Sequence, residues 1–219
     1  MQVINNVPIL NTDNEHLVRL ANEFNAKNYL ILKNLVTTDF LTRLSPRIAA
    51  ASFSERTDED IATEHVMDDE ATTGILLFAF NNQKLFEFLQ QITGCEEIGC
   101  FIGRVYRFMP DSNHHDSWHD DRAGGKRLLG LSLNLGNRIH SGGVLAIREK
   151  RSGTILCQVT NSVFGDAILF RLGDDLEHRV TDVTGNVART VFAGWFQNQP
   201  HFRELFTVSQ QPQTPDCDV

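Results

Sequence analysis

Apolar residues recur at helical spacing in the first part of the chain. Between Glu15 and Phe24 they fall every three or four residues behind Asn14, which predicts an amphipathic helix with that asparagine as N-cap. Another helix is predicted from Gln83 to Ile92, where four large apolar side chains are available for packing. The apolar run Tyr29 to Leu32 between the first two predicted helices indicates a short strand.

The region between these elements is less regular. Thr37 or Thr38 can cap a helix that carries apolar residues at the right spacing, although Pro46 interrupts its interior. The stretch from Ser54 to Thr73 is acidic and has few apolar residues. We therefore interpret it mainly as a surface loop or lid.

From Cys100 onward the pattern changes to short alternating or apolar runs separated by glycine-containing turns. Helices first and many strands afterwards predict an α+β fold, a β-sandwich or open barrel with helices on its outer face. The expected organisation is an N-terminal elaboration over 1–99, a β-core over 100–198 and a C-terminal extension over 199–219, disordered from about 209. The predicted strands are Phe101 to Phe108, Arg127 to Asn134, Gly143 to Arg148, Thr154 to Val159, Ala167 to Arg171, His178 to Val180 and Val187 to Phe196.

Composition narrows the class of protein. Hydrophobic residues make up 41% of 219 residues and include 15 Phe, enough to fill a core and line a pocket. The net charge of −8 and pI near 5.4 argue against a nucleic-acid partner, because a phosphate backbone would be repelled. No apolar run reaches the roughly 18 residues of a membrane span.

Cysteine usage and the first residues indicate a compartment. Cys95, Cys100, Cys157 and Cys217 form no Cys-x-x-Cys pair, and the first residues lack the basic start and apolar run of a signal peptide. We expect reduced thiols in a cytoplasmic protein.

Three residues are candidate metal ligands. In an extended chain, residues two apart share a face, so His119 and Asp121 can point at one centre, and His178 from a distant strand can complete it. Two imidazoles and one carboxylate leave three octahedral positions open, as non-haem iron(II) oxygenases require. A second His-x-Asp register, His114 with Asp116, competes with the first. In the preferred register, His114, His115 and Asp116 would line the mouth of the site or support the ligands.

Arg189 follows His178 by eleven residues, on a predicted strand. Strand alternation can send its guanidinium into the barrel, where an unpaired cation needs an anion. A dicarboxylic co-substrate would supply one, because the planar fork of donors matches a carboxylate. The alternative is a surface arginine on an edge strand.

The stretch from Tyr106 to Phe196 resembles the prolyl-4-hydroxylase-like branch of the iron(II)/2-oxoglutarate dioxygenases. Each motif is weak alone, but their order is specific. The chain departs from the family at Met109-Pro110, where Pro-Gly commonly follows the family tyrosine. The motifs are Tyr106 with Met109-Pro110, His119-Asp120-Asp121, Arg127 leading into Leu133-Asn134-Leu135, Gly142-Gly143, Gly165-Asp166-Ala167, His178-Arg179-Val180, and Arg189 six residues before Trp195.

The resemblance implies a double-stranded β-helix, a jelly-roll and cupin-like core. It implies that His119, Asp121 and His178 bind Fe(2+), with 2-oxoglutarate and O₂ as co-substrates and ascorbate as a stimulant. Arg189 would pair with the distal carboxylate of 2-oxoglutarate. Tyr106 would lie near that co-substrate or be a core tyrosine. Because related halogenases lack the carboxylate ligand, Asp121 favours hydroxylation.

Two function classes follow from these residues. The first is a dioxygenase that hydroxylates an unactivated C–H bond of an amino acid, peptide or related small molecule. The alternative is a cupin-like metal-binding sensor or isomerase, in which Arg189 has no role. Oligomeric state and the primary substrate are not indicated by the sequence.

Overall fold

The computed structural model describes residues 13–58, 62–112 and 114–202. The predicted tail from about 209, Cys217 and the first twelve residues lie outside the described residues. Helices occupy α1 (Asn14–Lys27), α2 (Thr38–Ala50), α3 (Glu70–Phe80) and α4 (Gln83–Thr93). The strands are β1 (Tyr29–Leu32), β2 (Phe53–Asp58), β3 (Ala62–Met67), β4 (Cys100–Phe108), β5 (His115–Asp116), β6 (Arg127–Asn134), β7 (Ser141–Gly142), β8 (Leu145–Glu149), β9 (Ile155–Val159), β10 (Ala167–Arg171), β11 (Leu176–Val180), β12 (Val183–Thr184) and β13 (Arg189–Gln197).

The three predicted helices are confirmed as α1, α2 and α4, with one change of cap. Asp13, not Asn14, is the N-cap of α1, and its carboxylate accepts a hydrogen bond from His16 N at 2.8 Å. Thr37 caps α2 in the same way, and Pro46 lies inside that helix.

The interpretation of Ser54 to Thr73 as a loop is wrong. This stretch forms the antiparallel hairpin β2–β3 and the start of α3. In β2 all residues after Phe53 are exposed, so the strand carries no apolar alternation for sequence reasoning to detect. The hairpin is held by pairing of β3 with β4, where Val66 lies opposite Tyr106.

The strands form an antiparallel jelly roll. The large sheet has the order β1-β10-β6-β13-β4-β3-β2, with β5 added beside β3, and a smaller sheet has the order β11-β8-β9. Leu145 and Ile147 of β8 pack with Ile168 and Phe170 of β10, so the two sheets enclose an apolar layer between them. The predicted α+β fold with a double-stranded β-helix is confirmed.

The helices cover the outer face of the large sheet. Phe192 and Phe196 of β13 point toward them, and rings of α3 and α4 pack against this pair, with 5.2 Å between the centroids of Phe80 and Phe192 and 6.0 Å between those of Phe86 and Phe196. Alternation therefore turns the odd-numbered residues of β13 from Arg189 to Trp195 toward the space between the sheets. None of the described helices has the length and apolar character needed to cross a bilayer.

Candidate metal centre

A histidine, an aspartate and a second histidine converge at one end of the space between the sheets. His119 and His178 are joined by two backbone hydrogen bonds, of 3.1 and 2.9 Å, which place their rings 4.3 Å apart. One carboxylate oxygen of Asp121, Oδ2, lies 3.2 Å from Nε2 of each imidazole. The structure thus brings the three predicted ligands together.

The backbone conformation that directs the Asp121 carboxylate toward His119 differs from the extended strand that was predicted. The backbone of Asp121 is not extended but left-handed, with φ of 57°. Aspartate is one of the few non-glycine residues that adopt this conformation readily. The turn, rather than strand alternation, directs its carboxylate back toward His119.

Both oxygens of the Asp121 carboxylate are held by other side chains. Trp195 donates its indole N–H to Oδ2 at 2.7 Å, and the Arg127 guanidinium donates to Oδ1 at 3.0 Å. The guanidinium also stacks on the Trp195 ring, 3.6 Å from its centroid. Sequence reasoning placed Arg127 and Trp195 among the family motifs but gave neither this role.

The charges of the cluster are strongly coupled. Burial would lower the pKa of His119, but its hydrogen bond to Asp121 and the negative charges of Asp116 and Asp121 raise that pKa to about 9. Burial opposes ionisation of Asp121, yet hydrogen bonds from His119 and His178 hold the pKa of that carboxyl well below its usual range. The carboxylate is therefore ionised at neutral pH.

The donor set fits a divalent transition metal. Separations of 3.2 Å between the carboxylate oxygen and each imidazole nitrogen match the roughly 3 Å expected between neighbouring ligands about 2.1 Å from one ion. Nδ1 of His119 lies 2.7 Å from the Ser117 carbonyl, which fixes that ring's orientation. Two imidazoles and one carboxylate suit non-haem Fe(II) and leave the remaining positions open toward the cavity.

His114 and Asp116 do not form a rival site. His114 lies with Glu55 and His65, and its Nδ1 accepts a hydrogen bond from Met109 N at 3.0 Å. A neutral ring in that state carries its proton on Nε2, so neither nitrogen offers a free lone pair to a metal. Asp116 instead accepts from Val180 N at 2.7 Å, and the side chain of His115 is outside what the structure describes.

A cavity of about 330 Å³ extends from the cluster between the sheets. Its polar lining includes Arg189 and Tyr106, and its walls are mostly apolar. The apolar lining residues include Ala62, Ile102, Phe108, Leu131, Leu145, Phe170, Val180, Val191, Ala193 and Trp195.

Arg189 is buried in this cavity, and no carboxylate of the described residues lies within ion-pair distance of its guanidinium. Its side chain is 4% exposed, and Nη2 donates to the Ser132 hydroxyl at 3.0 Å. Burial lowers the pKa of Arg189 to about 10, so the guanidinium stays charged at neutral pH. The cavity therefore has a fixed positive end suited to a carboxylate.

Two further residues surround Arg189. A Cβ at Gly143, where φ is 64°, would come within 2.5 Å of Arg189 Cδ, so glycine makes room for the arginine. His140 is buried, and neither of its ring nitrogens has a hydrogen-bond partner. Burial and the charge of Arg189 lower the pKa of His140, which keeps the ring neutral. Sequence reasoning did not single out His140.

Tyr106 is 7% exposed and lines the cavity. Burial raises the pKa of its phenol above the ordinary range, so the hydroxyl remains protonated and can donate. Together, the cluster offers three ligand atoms that could hold one metal ion, and Arg189 offers a positive group that could bind an acidic co-substrate.

Residues 104–197 match the family model of the 2OG-Fe(II) oxygenase superfamily, so this part of the chain forms a domain of that superfamily. It is a 2-oxoglutarate-dependent dioxygenase that uses Fe(2+), with 2-oxoglutarate and O₂ as co-substrates. No curated protein matches the chain by sequence.

Solved structures share the fold at low sequence identity. An oxidoreductase of the 2OG-Fe(II) oxygenase family from Burkholderia pseudomallei has a TM-score of 0.63 and 14% identity, over 85% of this chain and 93% of that one. A Pseudomonas putida prolyl-4-hydroxylase has a TM-score of 0.61 and 17% identity, over 84% and 100%. A Trichoplax adhaerens prolyl hydroxylase, in complex with a hypoxia-inducible-factor oxygen-degradation-domain peptide fragment, has a TM-score of 0.57 and 14% identity, over 92% and 99%. The fold is that of the prolyl-4-hydroxylase-like branch.

Proposed function

We propose that this dioxygenase hydroxylates an unactivated C–H bond of an amino acid, a peptide or a related small molecule. In the balanced reaction, substrate, 2-oxoglutarate and O₂ give the hydroxylated product, succinate and CO₂. His119, Asp121 and His178 would hold the iron, and Arg189 and Tyr106 would bind 2-oxoglutarate.

The observation that carries the proposal is the pairing of a complete His–Asp–His cluster with a buried, unpaired arginine in one cavity. When bound, Fe(II) supplies the chemistry that couples O₂ reduction to oxidative decarboxylation of 2-oxoglutarate and to oxidation of the substrate. The retained carboxylate of Asp121 favours hydroxylation over halogenation.

The chain's own residues provide orientation and exclusion of water. Arg189, with its Ser132 contact, would fix the far carboxylate of 2-oxoglutarate in one direction. Trp195 and Arg127 hold Asp121 in the orientation in which Oδ2 faces both imidazoles. The apolar side chains among the cavity walls would help to exclude water from the reacting region.

A structural neighbour and the net charge support the proposed class of substrate. The Trichoplax relative in fold was solved with a peptide fragment, which supports a peptidyl group or a small molecule as the substrate here. The net charge of −8 argues against a nucleic-acid substrate, because a phosphate backbone would be repelled.

The test is iron-dependent turnover of 2-oxoglutarate in a panel of amino acids and peptides. Succinate formation should require both Fe(II) and O₂ and be stimulated by the true substrate. His178→Ala should abolish Fe(II) binding and succinate formation while the circular dichroism spectrum stays unchanged. His114→Ala, the matched control, should bind iron as the wild type does. Turnover retained in the His178 variant would exclude His178 as a ligand.

A further inference from the structure

Among the described residues, four carboxylates line the cavity, and three of them have partners. Asp121 is bound by Trp195 and Arg127, as described above. Asp116 accepts a hydrogen bond from a backbone N–H, and Asp58 lies 3.7 Å from the Arg56 guanidinium. The fourth, Glu64, has no hydrogen bond or ion pair with any described residue.

Glu64 occupies a position where a carboxylate is costly. On β3 it alternates with the buried Thr63, so its side chain faces the cavity and is only partly exposed. Its neighbour across the hairpin is Arg56, but no nitrogen of that guanidinium comes within ion-pair distance. Burial raises the pKa of Glu64 to about 7 even though Arg56 acts in the opposite direction.

Binding of the co-substrate does not explain why the Glu64 carboxylate lies in the cavity. 2-Oxoglutarate is a dianion, and the residues proposed to bind it are Arg189 and Tyr106. A further negative charge would repel it. Glu64 is therefore available to the other molecule that must enter the cavity, which is the primary substrate.

We propose that Glu64 recognises a cationic group, an ammonium or a guanidinium, on the primary substrate. This rests on the proposed function, because it assumes that the substrate enters the cavity beside the metal cluster. A charge-assisted hydrogen bond to a cation would give the carboxylate the partner that it lacks. The enzyme would thus select amino acids or peptidyl residues of the lysine or arginine type.

Arg104 would favour a negatively charged substrate, but its position supports this role less strongly than the position of Glu64 supports binding of a cation. Arg104 also lines the cavity, yet it is exposed at the mouth, where water can solvate the guanidinium. Glu64 is more withdrawn from water, so a missing partner costs it more. A preference for a cationic substrate would point to Glu64, and a preference for an anionic substrate would point to Arg104.

The test compares probes of similar shape that differ in side-chain charge: L-arginine against L-citrulline, and L-lysine against L-norleucine. Binding is measured by calorimetry without O₂, on the full chain loaded with Fe(II) and 2-oxoglutarate. The wild type should bind at least one cation tenfold or more tightly than its neutral partner. Glu64→Gln should remove that preference. Glu55→Gln makes the same charge change on the same hairpin outside the cavity and should keep it.

Several results would overturn the proposal: binding of neither cation, no preference for charge, tighter binding of L-glutamate, or a preference that survives in E64Q. If E64Q also fails to bind 2-oxoglutarate, the charge-conserving variant Glu64→Asp is tested instead. It must keep the preference for the cationic probe, and loss of that preference counts against the proposal. A wild type that binds neither Fe(II) nor 2-oxoglutarate would instead contradict the proposed function. The two failures are therefore distinguishable.

Discussion

The orientation of Asp121 depends on two side chains far away in sequence. Trp195 and Arg127 donate to its two oxygens and stack on each other. Such supporting hydrogen bonds fix a ligand's direction before the metal binds. The hydrogen bonds from Trp195 and Arg127 therefore hold Asp121, which lies in a left-handed turn, with its carboxylate facing both imidazoles.

Trp195→Phe removes the 2.7 Å hydrogen bond to Asp121 and keeps most of the ring. We expect Fe(II) affinity to fall about 10- to 100-fold, measured by metal titration under anaerobic conditions. Trp118→Phe is the control, because that ring stacks with Arg148 and Arg179 and does not line the cavity. Equal affinity in W195F and the wild type would show that the indole does not position Asp121.

Glu64 makes the stability of the protein depend on pH. Its folded pKa of about 7 exceeds the ordinary 4.5, so between these values the folded state keeps a proton that the unfolded state has lost. Glu64 therefore reduces stability as pH rises through this window, by up to about 3 kcal/mol. Metal-free E64Q should match the wild type at pH 4.5 and be more stable at pH 8, in urea denaturation. A gap that is constant with pH would contradict this.

At the residue scale, the spacing of residues along the chain was enough to propose the main site residues. The His119–Asp121 pair and the downstream positions of His178 and Arg189 were found from motif order. The contacts of Trp195 with Asp121 and the unpartnered state of Glu64 and His140 were not found, because they arise between segments far apart in the chain. No local pattern distinguishes an arginine that stacks on a tryptophan from one in solvent.

Among the elements, β6 and β10 show how packing supports the metal cluster. Gly130 of β6 lies opposite Phe170 of β10, and a Cβ at Gly130 would overlap the phenyl ring. That ring in turn packs on the His178 imidazole, with centroids 4.8 Å apart. The missing side chain at Gly130 therefore leaves room for the Phe170 ring to pack on the His178 imidazole.

Gly130→Ala should displace Phe170 and, through it, His178. We expect a loss of about 1–3 kcal/mol in unfolding free energy together with weaker Fe(II) binding. Gly153→Ala is the control for metal binding, because nothing lies within 4 Å of a Cβ there, although its φ of 70° adds local strain. If G130A lost stability but bound Fe(II) normally, the coupling between Phe170 and His178 would be refuted.

The elements also show where sequence patterns lose information. Strands β4, β6, β10 and β13 were predicted almost to their ends because they are buried and rich in apolar residues. The hairpin β2–β3 was missed because solvent covers much of it and its register depends on β4. Helix α3 was missed because its nearly continuous apolar run has no polar face to mark a helical period.

For the whole molecule, the charge of Arg189 opposes stability while the site is empty. Arg189→Met should stabilise the ligand-free protein by about 1–3 kcal/mol, because an unpaired buried charge is removed. The wild type should gain about 2.7 kcal/mol from 2-oxoglutarate at a hundred times its dissociation constant, in the presence of Fe(II) and the absence of O₂. The variant should gain far less at that concentration. Denaturant titrations with and without the keto acid measure both effects, and an equal gain in the two proteins would remove Arg189 from co-substrate binding.

In the large sheet β13 lies between β6 and β4, although it follows both along the chain. During synthesis on the ribosome, the middle of the sheet therefore stays open until residues 189–197 have emerged from the exit tunnel. Until then β4 and β6 each present an unpaired edge, which is prone to aggregation and is a target for chaperones. Because the same strand brings Arg189 and Trp195, closure of the sheet and competence for catalysis should be reached in a single late folding event.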